Sequence, residues 1–337
     1  MSGAGQTVVS VADGSGRLAE VLEHYPQRLT RHLEQLIDAG EAGVARQFDP
    51  DPLELETSPG HVPDPLAEQQ HTPLPGLVHR HADRALLLAT DRCAALCRFC
   101  FRKGRSFENY AQFDAQGREA LFAYLQQHRE LREVILTGGD PLLLPAESLA
   151  ELLSRLRGIP HLQLLRLHTR LPVVSPEKVT PGLVSMLQGD PPLFVMLHVN
   201  HPAELTPELA AACRLLSDAG LPLGSQTVLL KGVNDDHTVL ERLFVGLLRL
   251  RIRPYYLHHP DLAAGTAHFR VTLERGRKLF SELAGRVSGL ALPHYVVDLP
   301  GGYGKVPVAE QALVAEGGKA VLRAPDGRLV KVANSEG

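Results

Sequence analysis

The sequence predicts an α/β fold built on a parallel sheet, a barrel, open or closed, in preference to a dinucleotide-binding fold. Three observations carry this. From Arg84 onward, short apolar runs alternate with amphipathic helical stretches through six repeats, the rhythm of strand–helix units lying side by side in one parallel sheet. No Gly-rich dinucleotide fingerprint follows the first run, which argues against the doubly wound alternative. The residues able to do chemistry fall just after the runs, where a parallel barrel gathers its functional loops.

Residues 15–48 read as helical: Leu18, Val21, Leu22 and Tyr25 fall at helical spacing, and Leu33, Leu36 and Ile37 continue the pattern. Prolines at 50, 52, 59, 63, 65, 73 and 75 exclude regular helix or a central strand between Asp49 and Gly76. That stretch is either an extended segment wrapping the next domain or a disordered linker. The expected strands are Ala85–Ala89, Val134–Leu136, Leu162–Leu167, Leu193–Val199, Gln226–Leu230 and Pro254–Leu257. Between them, Leu149, Leu152, Leu153 and Leu156 form one apolar stripe stopped by Gly158 and Pro160. Thr180-Pro181 and Thr206-Pro207 are cap-plus-proline helix starts, and Gly220 ends the second of these helices. A last run, Tyr295–Val297, leads into Gly301-Gly302-Tyr303-Gly304-Lys305, and Ala320–Val332 reads as a hairpin turning at Asp326-Gly327. Three regions follow: 1–76, helical and then Pro-rich; 77–298, the barrel; and 299–337, a lysine loop with a β-hairpin tail.

With 337 residues and 44% hydrophobic composition the chain can bury a large core without staples. A formal net charge of −3 gives no bulk attraction to nucleic acid or an anionic membrane, and no apolar run approaches the roughly 20 residues of a spanning helix. Met1–Asp13 lacks the basic start and apolar stretch of a secretory signal. Three of the four cysteines crowd into Cys93–Cys100, which suits reduced thiols in a cytoplasm better than extracellular disulfides.

Those cysteines, Cys93-x3-Cys97-x2-Cys100, follow the first strand. Thiolates suit an iron–sulfur cluster or zinc. Three on a four-iron cluster leave one iron open to a small molecule, as reactive chemistry requires; zinc would take a His as fourth ligand. Arg98, Arg102, Lys103 and Arg105 add positive charge expected to favour thiolates. Cys213 falls on a helix face with Leu209 and Leu216 and reads as core. After the later strands come Thr137-Gly138-Gly139-Asp140, then His168 and Arg170, His198-x-Asn200-His201, His258, His259 and Asp261, and finally Asp298 and Lys305. If the strand reading holds, they converge on one rim. Lys305, flanked by glycine, is either a solvated surface lysine or an amine able to reach a bound aldehyde.

Cys93-Ala-Ala-Leu-Cys97-Arg-Phe-Cys100 matches the CxxxCxxC signature of radical S-adenosylmethionine enzymes. From about Asp64 to Val332 the chain is similar to the lysine 2,3-aminomutase family, through Asp64-Pro65-Leu66, Pro75-Gly76-Leu77-Val78-His79-Arg80, Asp83-Arg84 and the segments CRFCFRK, TGGDPL, HVNHP, SQTVLLKGVND, RPYYL and DLPGGYGKVPV. The resemblance implies a partial (β/α)6 TIM-like barrel of the radical SAM type, with an N-terminal helical extension and a small C-terminal β-containing segment. It implies a [4Fe-4S] cluster on Cys93, Cys97 and Cys100, with S-adenosyl-L-methionine on its open iron, contacted by Gly138, Gly139 and Asp140, and with His198 beside the adenosyl group. It further implies pyridoxal 5'-phosphate on Lys305, its phosphate held by Arg80 and Arg84, with Gln226 in the same pocket. By the same resemblance Arg102 takes the substrate carboxylate, and Asp261 with Asp298 the distal ammonium of L-lysine.

The implied activity is an isomerase shifting the α-amino group of L-lysine to C3. The implied partners are an external one-electron reductant of flavodoxin or ferredoxin type and, in the longer members, further subunits of a homo-oligomer. Those longer members carry extra cysteines that bind zinc; Asp236 stands at one such position here, and His258 stands where they have Tyr. The short length resembles the branch making (R)-β-lysine for elongation factor P, whereas Asp298 and the PGGYGK loop resemble the metabolic branch. A 2,3-aminomutase for glutamate or arginine, and a cluster protein for electron transfer or binding, are the alternatives.

Overall fold

The computed structural model describes the backbone of residues 14–103, 115–308, 314–316, 319–323 and 329–333, and the side chains of 16–103 and 116–308. Met1–Asp13, Arg105 and the expected turn at Asp326-Gly327 lie outside the described residues.

Nine strands form one sheet in sequence order: β1 (Leu77–His81), β2 (Arg84–Thr90), β3 (Glu133–Gly138), β4 (Leu164–Thr169), β5 (Leu193–His198), β6 (Leu223–Val228), β7 (Arg253–His258), β8 (His294–Leu299) and β9 (Gly304–Pro307). β2 to β8 pair in parallel, while β1 and β9 pair antiparallel at the two edges. This is a partial TIM-like barrel. All six expected strands are present, with the last apolar run as a seventh parallel strand. β1 was not anticipated, because its Leu77-Val78-His79-Arg80-His81 carries only two apolar residues. Two runs were misjudged at their ends: the strands are 164–169 and 223–228, where 162–167 and 226–230 were expected.

The period of two along each strand divides the sheet. Ala85, Leu87, Val134, Leu136, Leu165 and Val195 turn outward into the main core. The helices there are α4 (Ala115–Gln127), α5 (Ala146–Arg157), the short α6 (Leu171–Val174), α7 (Pro181–Leu187), α8 (Pro207–Asp218), α9 (His237–Arg249) and α10 (Leu273–Ala284), once the three helices of the N-terminal region have been counted. The leucine stripe of α5 is buried, Thr180 and Thr206 accept from Leu183 N and Leu209 N as caps, and Cys213 is core. Asp236 caps α9 by accepting from Thr238 N and Val239 N.

The region read as continuously helical is three helices, α1 (Gly14–His24), α2 (Arg31–Asp38) and α3 (Ala42–Phe48). Pro26 removes the amide that would continue the first, and Gly40, at φ +87°, turns the chain after the second. The Pro-rich stretch is irregular, with short helical turns at Pro52–Leu55 and Glu68–His71 among other turns, and Val62 bridges to Ala263 beyond β7. Through Val62, Glu54 and Glu68 the stretch contacts the loops after β7 and β2. A three-stranded antiparallel sheet, β10 (Val314–Glu316), β11 (Lys319–Arg323) and β12 (Leu329–Ala333), follows. No helix among the described residues is long and apolar enough to cross a membrane.

Candidate active site

The cysteine loop leaves the C-terminal end of β2 and is held from outside by the N-terminal region. Arg28 Nη1 donates to Cys93 O at 2.9 Å, Leu96 N to Arg28 O at 3.0 Å, and Arg98 N to Gln47 O at 2.8 Å. Buried Glu54 accepts from Arg98 Nη2 at 2.6 Å, Arg98 Nε at 2.9 Å and Lys103 Nζ at 2.7 Å. A carboxylate buried with two cations neutralises what would otherwise be costly unpaired charge. Of the basic residues expected to add positive charge beside the thiols, the three within the described residues each pair with an acid. Arg98 and Lys103 are committed to Glu54, and Arg102 makes a two-point ion pair with Glu68 at 2.7 and 3.1 Å. The cation on a sulfur is Arg170, whose Nη1 donates to Cys97 Sγ at 2.8 Å.

Burial raises the Cys93 thiol pKa, and the neighbouring Cys100 and Cys97 raise it further. Burial also raises that of Cys97, against the opposing charge of Arg170. The three thiols thus share one poorly solvated space. As bare thiols Cys93 and Cys97 resist ionisation, and an iron–sulfur core would supply the positive charge that holds thiolates there. The donor set fits a cluster.

Gly138-Gly139-Asp140 is stitched to the start of the same loop: Gly139 N donates to Thr90 O at 2.6 Å and Asp140 N to Arg92 O at 2.7 Å. A Cβ on Gly138, whose φ is +114°, would come within 2.6 Å of Thr90 O, and one on Gly139 would overlap the Arg92 carbonyl. The glycines are therefore required by backbone contact. The Asp140 carboxylate is fully used, accepting from Thr169 Oγ1, Leu142 N, Arg170 N and Leu171 N. It locks the loop after β3 to the loop after β4, so a ligand at this segment meets backbone.

The next strands face the same lumen. His198, at the end of β5, stacks on Phe99 of the cysteine loop with ring centroids 5.3 Å apart. Gln226 stands level with His198 on one side and Tyr256 on the other. Burial lowers the pKa of His168 and His198 well below the usual imidazole value, and the nearby cations Arg166 and Lys305 (for His168) and Arg170 (for His198) push the same way. In both rings burial favours the neutral form. The Nε2 atoms of both are buried without a hydrogen-bond partner, which leaves polar atoms for a ligand to satisfy.

At the far side of the lumen, β8 and β9 form a hairpin with Asp298 opposite Lys305. Lys305 Nζ lies 2.6 Å from Asp298 Oδ1, and His258 Nδ1 lies 3.3 Å from Oδ2. Burial alone would raise the Asp298 pKa, but His258 and Lys305 outweigh it and bring it to about 2. Asp261 is pushed the other way, to about 7, by burial and then by the charge of Asp298. Asp261 therefore lies within the field of Asp298.

Arg80 lies in β1, and Arg84 begins β2 at the end opposite the cysteines. Burial lowers the pKa of His81, with Arg84, Arg80 and Lys305 adding to the effect, so all three cations act electrostatically on one imidazole. Arg80 Nε is buried without a partner, whereas Arg84 pairs with exposed Asp83 at 3.1 Å. A phosphate would satisfy the orphaned Arg80 donor. Gly302, at φ +81°, packs against Leu66 O and Arg80. Of the two arginines expected to hold a phosphate, Arg80 has an unpartnered buried donor, whereas Arg84 is taken up by Asp83.

The comparisons with known proteins agree with this geometry. Residues 87–243 match the Radical SAM superfamily model, and residues 280–336 match the model described as Lysine-2,3-aminomutase. The chain is 42% identical over 281 residues to L-lysine 2,3-aminomutase of Acetoanaerobium sticklandii, covering 83% of this chain and 68% of that protein. It is 39% identical over 309 residues to L-lysine 2,3-aminomutase of Clostridium subterminale, covering 91% and 74%. The chain belongs to the lysine 2,3-aminomutase family. Glutamate 2,3-aminomutase of Clostridioides difficile is also similar, at 36% identity over 84% of this chain and 69% of that protein. As a member of the lysine 2,3-aminomutase family the protein is a radical SAM aminomutase, an isomerase acting on an amino acid and needing a reductant. Membership implies a [4Fe-4S] cluster, S-adenosylmethionine and pyridoxal phosphate.

Sequence reasoning did not single out Gln47, Glu54, Glu68 and Glu204, which hold the cysteine loop and its cations. Phe99 was available as the aromatic residue inside the cysteine motif.

Proposed function

We propose that the protein moves the α-amino group of L-lysine to C3, giving β-lysine, with pyridoxal phosphate carried on Lys305. The observation that supports this most is the arrangement at the β8–β9 hairpin. Asp298 contacts the Nζ of Lys305 and raises the pKa of Asp261, so an acid pair for a distal ammonium adjoins the amine that would hold the cofactor.

In this reading Cys93, Cys97 and Cys100 hold the cluster, and Gly138 and Gly139 let backbone approach the S-adenosylmethionine on its open iron. Bound together, the cofactors supply an adenosyl radical and a conjugated ring that stabilises a substrate radical. The chain's own residues do the rest. Arg102 binds the substrate carboxylate, with Glu68 fixing its guanidinium plane beforehand. Asp261 and Asp298 take the distal ammonium by charge-assisted hydrogen bonds. Arg80 and Arg84 take the cofactor phosphate, Gln226 lines the pocket, and neutral His198 with Phe99 flanks the adenosyl group. The buried wall of β2 to β8 excludes water from the radical. A flavodoxin- or ferredoxin-type donor in the cytoplasm supplies the electron, and assembly into a homo-oligomer follows the family.

Anaerobic reconstitution with iron, sulfide, pyridoxal phosphate and S-adenosylmethionine, followed by chiral analysis of products from L-lysine, L-glutamate and L-arginine, tests the proposal. β-Lysine from lysine alone is expected, since two carboxylates repel a distal carboxylate. (R)-β-lysine would point to the translation-factor branch. A β-isomer of glutamate or arginine without β-lysine would contradict the assignment.

A further inference from the structure

Arg170 follows β4 and its side chain is nine-tenths buried. Nη1 donates to Cys97 Sγ at 2.8 Å, and Nη2 donates to Gln47 Oε1 and Glu204 Oε1, each at 2.6 Å. The guanidinium carbon lies 4.6 Å from the Phe48 ring centroid and 5.3 Å from that of Phe99. Among the described residues, no other side chain donates a hydrogen bond to a sulfur of the three cysteines.

The fork is fixed by a second layer. Glu204 is fully buried and accepts from Asn200 N at 2.8 Å and His201 N at 2.7 Å. Gln47 donates to Gly43 O at 2.8 Å and accepts from Asn200 Nδ2 at 3.0 Å. Through Arg170 N, the same residue is tied to Asp140 of the glycine segment. This much preorganisation around one N–H···S bond exceeds what anchoring a loop requires, because Arg28, Glu54 and the Gln47 carbonyl already anchor it.

We propose that Arg170 sets the reduction potential of the cluster, acting as a positioning residue through Cys97. The proposal rests on Cys97 being a cluster ligand. When one electron enters from the external donor, negative charge grows on the cluster and its thiolates, and no protein bond breaks. A hydrogen bond and a buried positive charge at a ligating sulfur favour the reduced form and raise the potential. Glu204 limits that effect by offsetting part of the guanidinium charge. Arg170 thereby brings the cluster within reach of a weak one-electron donor.

The test is an anaerobic redox titration of the reconstituted full-length protein followed by electron paramagnetic resonance, on wild type, R170K and R170Q, with iron and sulfide content measured on each. R170Q is expected to need a more negative poise for half-reduction, with at least a tenfold lower ratio of reduced to oxidised cluster at a fixed potential, equivalent to about 59 mV for one electron. R170K keeps the charge without the fork and is expected to fall between. An unchanged potential in R170Q with full iron content would overturn the proposal. Should R170Q fail to hold iron, R170K decides: a negative shift supports the proposal and the wild-type potential overturns it. C97S tests the underlying reading separately, since wild-type iron content and spectrum in C97S would remove Cys97 as a ligand whatever Arg170 does.

Discussion

Lys305 Nζ lies 2.6 Å from Asp298 Oδ1, the two residues facing each other across the β8–β9 pair. The acid expected to bind a substrate ammonium is thus also the counter-ion of the lysine expected to hold the cofactor. Under the proposed function, engaging Lys305 would release Asp298 Oδ1 for the substrate, and cofactor loading and substrate recognition would be coupled through one carboxylate.

D298N should therefore harm both steps. Losing a buried charge-assisted pair costs about 2–5 kcal/mol, so kcat/KM for lysine should fall by at least about 30-fold. Retention of pyridoxal phosphate should weaken as well, measured by its absorbance after gel filtration. Normal cofactor retention with only a raised KM would uncouple the two roles.

Asp261, with its pKa near 7, gives a pH dependence of definite sign. Below pH 7 it is neutral in the free enzyme, and above it a second negative charge is ready for the ammonium. Because kcat/KM reports the free enzyme, its lysine profile should rise through about pH 7, and D261N should flatten that limb. For stability the sign is reversed. Between 3.8 and about 7 the folded protein holds a proton that the unfolded chain has released, so this contribution to stability is lost as pH rises across that window. Urea unfolding of D261N at pH 5 and 8 measures it.

Glu54 joins the N-terminal region to the cysteine loop. E54Q keeps the shape but leaves Arg98 and Lys103 buried without their counter-ion. Removing one partner of a buried ion pair costs about 3–5 kcal/mol. A comparable loss in chemical denaturation, with reduced iron uptake, is the expected result.

G139A places a methyl against the Arg92 carbonyl, a backbone atom that cannot swing aside. Overpacking of this kind costs about 1–3 kcal/mol. It should displace the cysteine loop from the glycine segment, so S-adenosylmethionine affinity by calorimetry should fall while secondary structure by circular dichroism is unchanged.

What the sequence made legible was local. The leucine stripe of α5, the Thr caps of α7 and α8 and the apolar runs of β2 to β7 write their own periodicity. The cysteine motif stood out by its own spacing, whereas the glycine pair and Lys305 drew their expected roles from the resemblance to the family. The acids that hold the cysteine loop were not legible. Glu54 and Arg98 are 44 residues apart, Glu68 and Arg102 34, and Gln47 and Arg170 123. Each acid or amide lies in or beside an irregular segment, where no periodicity marks a partner. β1 was hidden for a related reason: an edge strand rich in His and Arg lacks the apolar alternation of a buried one.

The central claim is that the cysteine loop and Lys305 serve one lumen. Turnover of L-lysine deuterated at C3, with analysis of the 5'-deoxyadenosine formed, tests it most directly. Deuterium in the 5'-methyl group is expected in wild type and not in K305A. Formation of 5'-deoxyadenosine without deuterium, in wild-type protein carrying both cluster and pyridoxal phosphate, would contradict it.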